Sequence, residues 1–173
     1  MDTSQVPRPG GVRLHVKVGS RRDAPVLVLL QGQASSSTWW DDLRHRFDDR
    51  FRTVTMDYRG TGETTAPHGD LSTELLADDA VAVLDALGVE RTHVYGTSMG
   101  GRVAQMLAAQ RSDRVASLVL AVTSPGGPRA VERSAEVRRA LADPDEAKRR
   151  AALVRLFYTP SWGEDAARSR LFG

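Results

Sequence analysis

Apolar positions recur along the chain with two alternating spacings, and the alternation predicts the order of elements. Val12, Leu14, Val16 and Val18 are apolar with Arg13, His15 and Lys17 between them, the pattern of a half-buried strand. Val26–Leu30 is a continuous apolar run after Pro25, as expected of a strand covered on both faces. Thr38 or a neighbouring serine can cap a helix running to about Phe47, with Trp39, Leu43 and Phe47 on one face. Arg52–Met56 reads as a second buried strand that ends at Asp57. Leu76, Ala80, Val83, Leu84 and Leu87 recur at helical spacing, and Gly88 follows as a C-terminal cap. Strand Thr92–Tyr95, helix Met99–Gln110 and strand Val115–Val122 complete the series. Strand and helix repeat in turn, so the predicted class is α/β: a mostly parallel sheet with helices on both faces.

Thr123 to Pro128 breaks this rhythm with two prolines and two glycines. Polar helices are predicted beyond it, at Ala130–Leu141, at Asp145–Phe157 and around Asp165–Leu171. Asp143 and Pro144 supply a stop and a restart. The expected domains are therefore a core over residues 1–128 and the start of a helical addition over 129–173.

Composition narrows the function classes. The chain has 173 residues and no cysteine, which excludes disulfide scaffolds, zinc ribbons and thiol catalysis. A mean hydropathy of -0.36 suits a soluble globular chain with one real core. The longest apolar run, Val26–Leu30, is too short to span a bilayer, and Met1 to Gly10 lacks the apolar stretch of a secretory signal. A soluble, cytoplasmic chain without membrane attachment is the expectation. Residues 1–128 hold 14 Lys+Arg against 15 Asp+Glu, and residues 129–173 hold 10 against 7. In the second stretch the acids Glu132, Glu136, Asp145 and Glu146 sit among the arginines, as on a solvated helix face. A basic stripe with interleaved aromatics is missing, so no nucleic-acid partner is expected.

The candidate chemistry lies in Gly96-Thr97-Ser98-Met99-Gly100-Gly101. A strand must end and a helix begin within two residues, which forces a strained turn. Glycines two before and two after the serine keep Cβ atoms out of it. The Ser98 hydroxyl is then presented at the positive end of the following helix, with the Met99 backbone N–H beside a developing oxyanion. The alternative is a glycine-rich turn that only permits close packing. A second oxyanion donor should come from the loop after the first buried strand, Gln31-Gly32-Gln33-Ala34, where Gly32 admits the backbone and Gln33 offers its N–H. That loop, followed by Ser35-Ser36-Ser37, also reads as a flexible serine-capped turn.

Three blocks, Leu29-Leu30-Gln31-Gly32, Asp57-Tyr58-Arg59-Gly60-Thr61-Gly62 and Gly96 to Gly101, resemble the α/β-hydrolase fold family, in particular its lid-bearing esterase, lactonase and cofactor-free haloperoxidase-like members. The resemblance runs from about Val12 to Pro128. Gln31 stands where the family usually has histidine, and it can still hydrogen-bond locally. Asp57 and Arg59 resemble the family's structural loop and are expected to form a loop-fixing ion pair. The resemblance implies a small-molecule ester or related acyl substrate, Ser98 as nucleophile, the Met99 and Gln33 amides as oxyanion donors, and no cofactor. It also implies an acid and a histidine later in the chain, whereas Gly173 falls within what resembles the lid, after about the sixth family strand.

The histidines do not replace the missing pair. His15 lies on an early strand, His93 at the wrong end of the sheet and His45 on a solvent-facing helix. His68, beside Asp70, is in a loop on the correct face and reads better as a surface histidine. Without a base Ser98 is a plain alcohol. Three readings stay open: the N-terminal part of a serine hydrolase, a non-catalytic or decayed binding domain, and one half of a two-chain hydrolase. Val115–Val122 is apolar and carries no charge or proline to protect an edge, so self-association or pairing with a second chain is expected there. Trp40 and Trp162 are candidate substrate contacts in a partly apolar pocket, with ordinary packing as the alternative. No histidine pair stands at ligand spacing, so no metal is expected.

Overall fold

The computed structural model describes residues 1–159 except Ala34, His68, Pro128, Arg129 and Glu132. Six strands, β1 (Asp2–Arg8), β2 (Val12–Val18), β3 (Val26–Leu30), β4 (Arg52–Met56), β5 (Thr92–Thr97) and β6 (Val115–Ala121), form one sheet in the order β1-β2-β4-β3-β5-β6. β3 pairs in parallel with both β4 and β5, and β5 with β6. β1–β2 and β2–β4 are antiparallel.

The first strand is absent from the sequence reading. β1 is polar and exposed except for the buried Val6 and half-buried Arg8, so it shows no alternation, and Pro7 is tolerated because the strand is an edge. The hairpin to β2 turns at Pro9–Gly11, where Gly10 and Gly11 take φ 77 and 76. Only glycine adopts two successive positive φ values without a steric cost.

Helices α2 (Thr73–Ala86) and α3 (Met99–Gln110) cover one face, packing Leu76, Ala80, Val83, Leu84, Val103 and Leu107 on Val28, Leu30, Val54 and Val94. Gly88, at φ 65, ends α2 as a left-handed cap. The opposite face is smaller and is covered by Trp40, Phe47 and Phe51 over Leu27, Leu29 and Tyr95. The helix expected from Thr38 to Phe47 is instead a 3-10 turn at Ser37–Trp40 followed by the single turn of α1 (Asp41–Arg44). Here Ser36 caps through its side chain, and the inward aromatic is Trp40 rather than Trp39. Arg44 also turns inward, where burial lowers the pKa of its guanidinium. It donates to the Thr53 hydroxyl at 2.9 Å, which offsets part of its desolvation.

The chain divides into two compact units after Ala130. In the second, α4 (Ala135–Leu141) starts later than the expected Ala130, because Ser134 accepts the Val137 N–H and fixes the helix start there. Asp145 caps α5 (Glu146–Phe157) by accepting the Ala147 and Lys148 N–H groups. The helix expected around Asp165–Leu171 lies outside the described residues. No helix among the described residues is long and apolar enough to cross a membrane.

Candidate active site

β5 ends at Thr97 and α3 begins at Met99, so Ser98 alone makes the turn, with φ 52 and ψ -117. A non-glycine residue in this region is strained, and such strain clusters at functional sites. The surrounding glycines explain how the turn closes. A Cβ on Gly96 would strike the Gly100 carbonyl oxygen, and one on Gly100 would strike the Leu30 carbonyl oxygen. At Gly101 it would stand 2.6 Å from the Cβ of Thr123. Backbone thus meets backbone at Gly96 and Gly100, and at Gly101 the helix backbone meets the Thr123 side chain. The Ser98 N–H donates to the Ala121 carbonyl at 3.0 Å, which ties the turn to the end of β6.

Parallel pairing of β3 with β5, with Leu30 opposite Gly96, sets the loop after β3 beside this turn. An ideal Cβ on Gly32 would be 3.6 Å from the Ser98 Cβ and 4.0 Å from its Oγ. Gly32 therefore faces the serine, and Gln33 follows it on the surface. Gln31 is fully buried; its Nε2 donates to the Met56 carbonyl at 2.8 Å, and its own carbonyl accepts the Tyr58 hydroxyl at 3.1 Å. Burial raises the Tyr58 pKa and keeps this phenol a neutral donor. Met99 is the first residue of α3, so its N–H has no partner within the helix and is open to an anion.

The expected Asp57–Arg59 ion pair does not form. Asp57, 2% exposed, accepts the Ser37 N–H at 2.6 Å and the Glu63 N–H at 2.8 Å, joining two loops through backbone donors. Gly62, at φ 51, is pressed against this carboxylate, where any side chain would collide. Arg59 pairs instead with the fully buried Asp79 through two bonds of 2.7 and 2.8 Å, and Arg8 adds a third at 3.0 Å. Asp57 and Arg59 would share a face only on a continuing strand, but the chain turns at Arg59 and Gly60, with the Thr61 N–H donating to the Tyr58 carbonyl at 3.0 Å, and the two side chains reach different partners.

No histidine among the described residues bonds to Ser98. His15 is buried on β2 with Nδ1 3.6 Å from Glu63. His93 shares a 2.7 Å hydrogen bond with Ser117 and stacks edge-on against Phe51, at the opposite end of β5. His45 is exposed after α1. His68 and Trp162 lie outside the described residues. Trp40, 1% exposed, sits in the smaller core cluster against Tyr95 and not in an open mouth. A polar depression lined by Asp85, Glu90, Arg111, Asp113 and Arg114 precedes β5 and β6, at the end of the sheet away from Ser98. Sequence reasoning missed Thr123, whose hydroxyl donates to the Ser98 carbonyl at 2.6 Å. A threonine just beyond a strand gives no sign of what it will reach.

This sheet order, with a strained serine between β5 and α3, has close counterparts among known proteins. The α/β-hydrolase fold profile matches residues 25–171, and the chain belongs to that family. It is 36% identical over 114 residues to the "Putative carbamate hydrolase RutD" of Caulobacter sp. (strain K31), which covers 64% of this chain and 41% of that protein. The crystal structure of a hydrolase from Pseudomonas aeruginosa PA01 superposes with a TM-score of 0.81 at 27% identity, over 98% of this chain and 64% of that one. The enol-lactonase from Burkholderia xenovorans LB400 gives 0.69 at 29% identity, over 84% and 56%. The chain spans about two fifths of the length of the curated relatives it matches.

Proposed function

We propose that Ser98 is the nucleophile of a serine hydrolase acting on an ester or a related acyl carbonyl. The observation that carries this is Ser98 held at φ 52 between β5 and α3, with Gly32 facing its side chain. A half-buried serine strained in this way and pinned by close backbone contacts is the arrangement in which its hydroxyl serves chemistry. A carbamate and a lactone, the substrates for which two of the relatives are named, both present an acyl carbon to such a nucleophile.

The Ser98 Oγ bonds to the acyl carbon as a base removes its proton. The Met99 and Gln33 N–H groups receive the negative charge on the former carbonyl oxygen. The leaving group departs with that proton, and water then releases the acyl group from Ser98. The base and its acid partner are supplied from outside the described residues. The exposure of Val119 (51%) and Leu120 (42%) on β6 favours completion of the sheet by a further strand, whether of the same polypeptide or of another.

The test is Ser98→Ala in the natural full-length polypeptide, assayed with p-nitrophenyl acetate and a serine-directed fluorophosphonate. Loss of turnover and of labelling supports the reading. Retention of either one overturns it in favour of a non-catalytic domain or a different nucleophile.

A further inference from the structure

The peptide unit joining Ser98 to Met99 is planar, and its C=O and N–H point in opposite directions. Its N–H is that of Met99, the oxyanion donor of the proposed reaction. Its carbonyl oxygen is that of Ser98, which accepts the Thr123 hydroxyl at 2.6 Å. Whatever holds the carbonyl therefore aims the N–H.

Three features bring Thr123 to that position. The chain turns at Val122, which takes φ 45, a conformation rare for a β-branched residue. Gly101 leaves the space that the threonine side chain fills. The next residue, Ser124, is fastened to α3: Arg102 donates to its hydroxyl at 3.1 Å and Gln105 to its carbonyl at 3.3 Å. Ala121, just before the turn, accepts the Ser98 N–H. The end of β6 thus grips both backbone polar groups of Ser98, and Thr123 supplies the side-chain half of the grip. Within the helix the same carbonyl also accepts the Gly101 N–H at 3.0 Å and the Arg102 N–H at 3.4 Å. The Thr123 hydroxyl adds a shorter bond from outside the helix.

We infer that Thr123 is a positioning residue of this site, fixing the Ser98–Met99 peptide plane so that the Met99 N–H meets the developing oxyanion. A hydrogen bond accepted by the carbonyl also polarises the N–H of the same unit and makes it a better donor. The inference rests on the serine-hydrolase reading. It predicts a defect confined to the transition state, because the ground-state carbonyl draws less on that donor.

The experiment compares Thr123→Val, which keeps the shape and removes the hydroxyl, with Thr123→Ser, which keeps the hydroxyl, in the natural full-length polypeptide. Thr123→Val should lower kcat about ten-fold with KM nearly unchanged, and weaken a trifluoromethyl ketone analogue by a similar factor. Thr123→Ser should recover most of both. Where the valine variant does not fold, Thr123→Ala takes its place in the same comparison. Unchanged kcat and analogue affinity on loss of the hydroxyl overturn the inference, and so does a defect that serine does not recover. Activity that survives Ser98→Ala overturns the underlying reading instead, whatever the Thr123 variants do.

Discussion

The Asp57 carboxylate accepts the Ser37 N–H at 2.6 Å, and this one bond ties the loop after β4 to the loop after β3. Its second oxygen accepts the Glu63 N–H, so among the described residues backbone donors hold both oxygens of this buried carboxylate. Asp57→Ala would leave both N–H groups without their acceptor. The expected loss is about 3 kcal/mol of stability, read from urea unfolding. Asp57→Asn keeps one acceptor oxygen but turns an amide NH2 toward an N–H donor, so it should recover only part of that loss. Wild-type stability in Asp57→Ala would refute this account.

Asp79 is tied in a different way. Arg59 and Arg8 both converge on its fully buried carboxylate, linking α2 to the loop after β4 and to the edge strand β1. Asp79→Ala strands two partly buried guanidinium groups and should cost about 3–5 kcal/mol. Arg8→Ala removes only one of the three bonds and should cost about 1 kcal/mol. Chemical denaturation of the two variants measures the ratio.

Gly100→Ala should be among the most damaging single substitutions in the chain. The added methyl meets the Leu30 carbonyl oxygen, and that atom belongs to the central strand β3. Neither backbone can yield without breaking the β3–β5 ladder. We expect a loss of soluble protein, or a fall in Tm of more than about 10 °C, which exceeds the few degrees per kcal/mol typical of a domain this size. Gly69→Ala, where an added Cβ meets nothing within 4 Å, is the control and should be neutral.

Stability should fall with rising pH above about 10 on account of Tyr58. Its pKa is raised by burial, so the folded chain keeps a proton that an unfolded tyrosine releases near 10. Above the unfolded value the folded state binds more protons, and the contribution is lost at up to about 1.4 kcal/mol per pH unit. Below that value it is fully present. Tyr58→Phe removes the titrating group and should flatten this alkaline slope, while costing about 1 kcal/mol at pH 8 for the lost bond to the Gln31 carbonyl. Urea midpoints at pH 8, 10 and 11 separate the two effects.

We propose that the 173-residue chain by itself associates through β6. Among the described residues β6 is the last strand in the sheet order, and Leu118, Val119 and Leu120 are exposed. Val119→Lys places a charge on that edge and should shift sedimentation toward the monomer. A wild-type chain that sediments as one monomeric species at high concentration would remove the basis for this proposal.

The elements that could be read from the sequence are those whose own burial is regular along their length, either periodic or complete. α3 begins at Met99 and ends at Gln110 as its spacing predicts, and β3 and β4 stand out because both of their faces are buried. β1 could not be read, because a polar edge strand is held by its pairing with β2 and not by its own burial. The helix expected at Thr38–Phe47 failed for a related reason. Trp39 and Trp40 are equally apolar, so the pattern does not say that Trp40 faces inward; the Ser36 cap, the Ser37–Asp57 bond and the contact with Tyr95 fix that. Of the site, Ser98 and its glycines were legible because the strain falls on local backbone. Thr123, Gln31 and Asp57 act across the sheet, and long-range hydrogen bonds leave no periodic trace.

The register that sets Leu30 opposite Gly96 also has a kinetic meaning. Thr97 and Leu30 are 67 positions apart, and their strands pair in parallel, so no local hairpin can bring them together. The chain must close that long loop before Gly100 can rest against Leu30 and hold Ser98 at its positive φ. The strained turn at Ser98 therefore waits on the pairing of β3 with β5. In a peptide covering only β5 and α3, Gly100 has no Leu30 carbonyl to rest against, and a nascent chain has nothing to hold Ser98 at its positive φ until its central strands have met.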